Sequence, residues 1–353
     1  MYLGYFIVSS LLSLLITPFV YYAMYKVGAV DSPQGEKRKI HKKKIPLGGG
    51  LAIFLSFFII VWIVFFGSEE LGSYVGFRHI LGLFLAGSVL MFGGFLDDKW
   101  RLSPSKQLFF SIIAALLIIV FGIGPHSFSN PFGGSFDLSG LQINVGNLGR
   151  LVVFADLLVF AWLMGMMFTT KFLDGLDGLV TGLVMIGSLF IFFLSLQDQW
   201  RQPEVALLSI IFAGACLGFL VWNWHPAKIF LGEGGSLFTG LALAVLAIIS
   251  EGKIATTLLV MGLPVLDVLR VIVRRMQKKR SIFHGDDEHL HFKLLASGLK
   301  QHQAVLLMYA ISLSFGLSAF FLQSTQKVLA LLLLLLLMIL LGVWFDRREK
   351  ALL

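Results

Sequence analysis

Blocks of about twenty consecutive apolar residues recur along the chain, separated by short polar connections, and nothing else in the sequence restricts the fold so strongly. Inside a bilayer each segment must satisfy its own backbone N–H and C=O groups, so a continuous apolar run of this length reads as a transmembrane α-helix. A β-barrel would alternate apolar and polar residues, and these runs do not. Eleven spans are expected, at 3–25, 48–67, 79–95, 106–123, 151–170, 179–196, 205–222, 237–250, 254–272, 305–322 and 327–345. The expectation is therefore an all-α polytopic membrane protein, with residues 1–353 forming a single integral membrane domain. The eighth span is short and the ninth contains Pro264 and Asp267, so one or both are expected to be tilted or broken. Composition agrees, since 57% of the 353 residues are hydrophobic and only 14% charged, which excludes an ordinary soluble domain. Residues 1–25 lack a basic leading segment and are long enough to span, so they read as a first transmembrane helix rather than a cleaved signal. The single cysteine, Cys216, lies in an apolar span and excludes an intrachain disulfide.

Charge sets the orientation. With the N-terminus outside, 23 of the 28 Lys and Arg residues fall on the cytoplasmic side, and only Arg78, Arg150, Arg201, Lys253 and Lys327 on the other. The positive-inside rule thus predicts an external N-terminus and a cytoplasmic C-terminus. The net charge of +8 comes with no zinc-type cysteine pattern and no RNA-binding motif, so no nucleic-acid partner is expected. Asp97, Asp98, Asp174, Asp177, Glu233, Asp286, Asp287, His289 and His291 played no part in that assignment, yet all fall on the cytoplasmic side, from separate connections. Ionisable residues between apolar spans are expensive, and their convergence points to one site at that face. The outer connection 124–150 is rich in Gly, Ser and Asn. Its segment Ser135–Val145 alternates like a short β-hairpin turning near Gly140, and it reads as a structural cap. There is no convincing internal repeat and the acids lie at one face, not the midplane, which weighs against an inverted-repeat transporter.

Five motifs carry the chemistry. The third span ends Gly93-Gly94-Phe95-Leu96-Asp97-Asp98-Lys99, where adjacent carboxylates followed by Lys99 and Arg101 suit a divalent cation and a phosphorylated ligand. The alternative is a charged span end that merely faces water. Before the sixth span, Asp174-Gly175-Leu176-Asp177-Gly178 sets two carboxylates three residues apart, with glycines that let backbone approach a ligand. An acidic helix start is its alternative reading. Pro226 to Ser236 places Glu233 among three glycines, like a phosphate- or metal-binding turn. His284 to Phe292 contains His289-Leu290-His291, which lacks the further ligands of a tetrahedral zinc site and better suits a pyrophosphate. The basic run Arg274 to Arg280 before it also suits anionic membrane lipids. In the first cytoplasmic loop, Lys37 to Gly50, most cations anchor the loop at the membrane surface, leaving one or two to contact a nucleotide or a lipid phosphate.

With these motifs in this order, the chain resembles the polyprenyl-phosphate N-acetylhexosamine-1-phosphate transferases, the WecA/TagO/MraY family, over nearly its whole length. The resemblance implies that a lipid phosphate attacks the β-phosphorus of a UDP-N-acetylhexosamine at the cytoplasmic face of the plasma membrane. UMP leaves, and a lipid-diphospho-sugar remains, the first membrane step of a cell-envelope polysaccharide. It implies Mg²⁺, with Mn²⁺ as a substitute, held by Asp98, Asp174 and Glu233. Asp97, Asp98, Asp174 and His289 would be catalytic, Asp97 and Asp98 orienting or deprotonating the lipid phosphate and His289 reaching the pyrophosphate. Lys42, Lys171, Gly175, Leu176, Asp177, Phe230 and His291 would bind nucleotide and substrate, with Phe230 stacking on uracil. The resemblance leaves oligomeric state open, a homodimer included. The Asp286–His291 setting is closer to the WecA/TagO branch than to the muramyl-pentapeptide branch. A muramyl-pentapeptide donor, or a non-catalytic homologue that only binds polyprenyl phosphate, are the alternatives.

Three departures from the family pattern stand out: Lys171 in place of Asn, Glu233 in place of Asp, and Phe292 in place of a further His. The first two are expected to be coupled. An ammonium beside a divalent cation is electrostatically unfavourable, and a longer carboxylate could reach it. Lys171 is accordingly expected either to pair with Glu233 or to contact a phosphate.

Overall fold

The computed structural model describes residues 1–33, 43–124, 128–129, 135–136, 142–144, 150–198, 201–250, 254–279, 288–322 and 324–351. Thirteen helices appear among them: α1 (Tyr2–Val27), α2 (Gly50–Gly67), α3 (Phe77–Trp100), α4 (Pro104–Val120), α5 (Val153–Leu173), α6 (Leu179–Ser195), α7 (Pro203–Asn223), α8 (Gly232–Ile249), α9 (Ile254–Val260), α10 (Gly262–Gln277), α11 (Leu290–Ala296), α12 (Gln301–Ser318) and α13 (Ser324–Ala351). Every expected span overlaps a helix or, for the ninth, a pair of helices. Seven helices are long and apolar enough to cross a membrane, and α9 with α10 would make an eighth. Helices α4 and α6 are apolar but shorter. The chain is thus a polytopic helical membrane protein.

The ninth span is broken, with α9 and α10 meeting at 77°. Pro264 stands in the first turn of α10, where its missing N–H leaves no intrahelical bond unmade. Beyond the break α10 becomes amphipathic, with Arg270, Arg274 and Arg275 interleaved with apolar residues.

Helices α7 and α8 form the centre, with 83% and 89% of their apolar windows buried, whereas α1 and α13 are peripheral at 22% and 11%. What lets α8 sit so deep is the absence of side chains at its start. A Cβ on Gly94 of α3 would collide with the backbone of Gly234, and one on Gly50 of α2 with that of Gly235. Backbone therefore touches backbone on two sides of the first turn of α8.

Short strands complete the described structure. β1 (Val30–Asp31) pairs antiparallel with β2 (Ile45–Pro46), closing the base of the first basic loop. In the outer connection β3 (Phe128–Ser129) pairs with β4 (Ser135–Phe136), and β5 (Gln142–Asn144) with β6 (Arg150–Val152). The strands of the expected hairpin thus pair outward, with 128–129 and 150–152. Gly140 itself lies outside the described residues.

Candidate active site

The site is built on the N-terminus of α8. Gly232 has φ of 78°, a left-handed conformation that favours glycine, and a Cβ there would collide with the Gly48 backbone and come within 2.5 Å of Asp98 Oδ2. The next amide, Glu233 N–H, donates to Asp98 Oδ1 at 3.0 Å. Asp98 Oδ2 is buried with no hydrogen-bond partner among the described residues. The neighbouring aspartate is used differently. Asp97 Oδ1 accepts the Leu102 N–H at 2.6 Å and the Gln107 Nε2 amide at 2.9 Å, tying the end of α3 to the first turn of α4.

Gln107 then reaches the third wall. Its Oε1 accepts from the Lys171 ammonium at 2.6 Å, and the same ammonium forms a close ion pair with Glu233 Oε1. The coupling expected between the two departures is therefore present. Asp97, Gln107, Lys171, Glu233 and Asp98 form one continuous run of hydrogen bonds across α3, α4, α5 and α8.

The turn after α5 carries the remaining acids. Asn223, at the end of α7, fixes it. Its Oδ1 accepts from Gly178 N–H and Thr181 Oγ1, both at 3.1 Å, while its Nδ2 donates to the Ile229 carbonyl at 3.0 Å. The Tyr309 hydroxyl donates to the Gly178 carbonyl from the side of α12. Asp177 is held by His225 Nδ1 at 2.6 Å and by the Ala227 N–H at 3.1 Å. Asp174 opens on the cavity while protein encloses it. Burial, followed by the charges of Glu233 and Asp177, pushes its carboxyl up to about 8.

These walls enclose a cavity of about 1130 Å³. Of the residues singled out in the sequence, Asp98, Lys171, Asp174, Gly175, Leu176, Asp177, Phe230 and Glu233 line it. Lys43, Lys44, Lys228, His225 and Gln301 add polar lining. Asp97 is not on the lining, being turned toward Gln107 and Leu102. Lys42, Asp286 and Asp287 lie outside the described residues.

His289 and His291 stand behind the cavity wall. His289 Nδ1 donates to Asp267 Oδ2 at 3.0 Å, and Asp267 also accepts the Leu290 N–H and an Arg270 Nη2. The His289 ring stacks between Phe172 and His291. His291 is fully buried with neither ring nitrogen partnered among the described residues, and a Cβ on Gly175 would come within 2.5 Å of its Nε2. Burial, reinforced by His289, holds His291 down to about 3, so it is neutral near pH 7. It supports the Asp174–Gly178 turn from behind, where substrate contact was expected.

The donor set fits a hard divalent cation. Asp98, Asp174 and Glu233 open on one cavity, and the unpartnered Asp98 Oδ2 is an oxygen awaiting a positive partner. Among the described residues there is no group of three or more His, Cys, Asp or Glu placed to hold a metal ion. Mg²⁺ does not need one, because it takes one or two carboxylates and completes its shell with water and substrate phosphates.

Gln107, Asn223, His225 and Asp267 are the supporting residues that sequence reasoning missed. Asp267 alone left a signal, as an acid inside an apolar span.

The family model for glycosyl transferase family 4 matches residues 80–251. The chain is 34% identical over 333 residues to the probable undecaprenyl-phosphate N-acetylglucosaminyl 1-phosphate transferase of Bacillus subtilis (strain 168), covering 92% of this chain and 86% of that one. It is 34% identical over 314 residues to the decaprenyl-phosphate N-acetylglucosaminephosphotransferase of Mycobacterium tuberculosis (strain ATCC 25618 / H37Rv), covering 80% and 73%. Against the phospho-N-acetylmuramoyl-pentapeptide-transferase of Anoxybacillus flavithermus (strain DSM 21510 / WK1) the identity is 30% over 328 residues, covering 90% and 95%.

Proposed function

The chain belongs to glycosyl transferase family 4, and from that membership we propose that it transfers N-acetylhexosamine-1-phosphate from a UDP-sugar to a polyprenyl phosphate. An oxygen of the lipid phosphate bonds to the β-phosphorus of the donor, the α–β bridging bond breaks, and UMP departs with the bridging oxygen. The relatives named for N-acetylglucosamine-1-phosphate transfer share 34% identity and the muramoyl-pentapeptide relative 30%, which favours the simple N-acetylhexosamine donor.

One observation carries the reading: Asp98, whose Oδ2 is buried with no hydrogen-bond partner among the described residues, lines the same cavity as Asp174, Glu233 and Lys171. Phosphoryl transfer asks little covalent chemistry of a protein and much positioning and charge neutralisation. Asp98 is the residue for orienting the lipid phosphate and taking its proton. Asp97 would act through Gln107, because its Oδ1 is already engaged. Asp98 and Asp174 would hold Mg²⁺, or Mn²⁺ in its place, with Glu233 beside them. The cation, when bound, neutralises charge developing on the pyrophosphate. Lys171 adds a fixed positive charge on the same wall. Leu176, Asp177 and Phe230 line the part of the cavity suited to the nucleoside.

The whole chain reads as one domain of eleven spans, with the N-terminus outside and the site at the cytoplasmic face of the plasma membrane. That placement matches the chemistry, since the acceptor is confined to the bilayer and the donor to the cytosol. Purified protein given UDP-N-acetylglucosamine, undecaprenyl phosphate and Mg²⁺ is expected to release UMP. Protein that retains the lipid yet releases no UMP from any UDP-N-acetylhexosamine would instead be a polyprenyl-phosphate binder.

A further inference from the structure

We propose that Gln107 is a positioning residue, whose side-chain amide, inserted between Asp97 and Lys171, holds the Lys171 ammonium against Glu233 on the cavity wall. The inference rests on the phosphotransfer reading and concerns what the cavity presents to a divalent cation and to the donor's phosphates.

Two charged groups, Asp97 and Lys171, meet at this amide, and Lys171 links it to a third, Glu233. Its Nε2 donates to Asp97 Oδ1 at 2.9 Å and toward the Leu102 carbonyl at 3.2 Å, so both of its N–H groups are used on the α3–α4 turn. That leaves Oε1 directed the other way, where it accepts from Lys171 Nζ at 2.6 Å. Lys171 is thereby offered a neutral dipole in the direction of Asp97 and a full charge in the direction of Glu233, and it pairs with Glu233. Both partners of that ion pair are only 15% exposed, so little water competes for them. Without the amide, Asp97 would lose its side-chain partner and could draw the ammonium toward itself. Glu233 would then stand uncompensated at the start of α8, beside Asp98 and Asp174.

The consequence is a division of labour among the carboxylates. With Gln107 in place, Glu233 is neutralised by Lys171, and Asp98 and Asp174 are the acids left for a divalent cation. The Lys171 charge stays on the cavity wall, facing the space that a pyrophosphate would occupy. Gln107 therefore governs how many negative charges the cation meets and where the protein's own cation sits.

The test uses the full chain in detergent or nanodiscs, with Gln107→Met, Lys171→Met and the double variant, each checked for an unchanged melting profile. Mn²⁺ binding, followed by electron paramagnetic resonance, needs no turnover. Gln107→Met and Lys171→Met are each expected to tighten Mn²⁺ binding, on the order of tenfold, and to raise the KM for UDP-N-acetylglucosamine. The double variant should match Lys171→Met alone, because Gln107 acts through Lys171. Multiplying effects in the double variant, an unchanged Mn²⁺ affinity in Gln107→Met, or no Mn²⁺ bound by any variant overturns the proposal. Wild-type protein that shows this Mn²⁺ pattern but releases no UMP would sink the phosphotransfer reading and leave the placement of Lys171 standing.

Discussion

At the scale of single residues, the two adjacent aspartates of α3 have different fates. Asp97 is committed to Leu102 and Gln107, whereas Asp98 keeps one oxygen with no partner among the described residues, beside the start of α8. Asp98→Asn keeps the shape and the acceptor for Glu233 N–H but removes the charge. It is expected to lower UMP release by at least about a thousandfold with little change in melting temperature, and near-wild-type turnover would refute the role. Asp174 gives a pH signature. Its carboxyl, raised to about 8, holds its proton at pH 7 and must release it when a cation binds. Cation affinity should therefore rise with pH up to about 8 and level off above, and calorimetry in buffers of different ionisation heat would detect the released proton. The stability linkage has the opposite slope. The unfolded chain loses this proton near ~4, so the contribution of Asp174 to stability falls as pH rises from there toward 8. The Lys171–Glu233 pair could be anticipated in the sequence because each residue departs from its expected type in a way that compensates the other. The supporting contacts could not. Gln107 lies 64 residues from Lys171, and His289 lies 22 from Asp267. Nothing in the local sequence around Gln107 sets it apart from any other polar residue in a first helical turn.

At the scale of elements, α8 determines the geometry of the site because its first turn is gripped by backbone. Gly94→Ala would drive a methyl group into the amide of Gly234, which cannot rotate away as a side chain would. The expected outcome is a loss of about 1–3 kcal/mol or more in stability together with loss of turnover, seen as a lowered melting temperature and reduced UMP release. Helix α7 is anchored at both ends. Asn223 holds the site turn at one end, and at the other the Glu204 carboxylate accepts four backbone N–H groups from Gly72, Ser73, Tyr74 and Val75. The helices themselves were legible, because long, predominantly apolar segments leave no other way to satisfy the backbone in lipid. The break in the ninth span was foreshadowed by Pro264. The 77° angle was not, since it depends on what α10 packs against. In the outer connection β4 and β5 fall within the segment read as a hairpin, whereas their partners β3 and β6 were not anticipated, because ladders of two or three residues carry little register information.

At the scale of the whole molecule, orientation can be tested directly. In a background where the buried native Cys216 is replaced by Ala, a cysteine introduced at Gly67 should react with a membrane-impermeant maleimide in intact cells. One introduced at Arg101 should react only after permeabilisation, and the reverse pattern would invert the proposed topology. The distribution of acids made one shared site legible from sequence, and the cavity does gather acids from α3, the turn after α5 and α8. What remained hidden was depth, because the same loop data could not place His289 and His291 behind the wall. The glycine-to-glycine grip on α8 also has an evolutionary consequence. Where backbone meets backbone there is no side chain for substitution to adjust, so these glycine contacts at the start of α8 offer drift no gradual path. The cavity's other lining, from Lys43 and Lys44 to His225 and Gln301, is made of side chains that can be exchanged one at a time. Side-chain exchange, of which the Lys171–Glu233 pair is itself an example, is therefore open to the cavity lining but closed to Gly50, Gly94, Gly234 and Gly235.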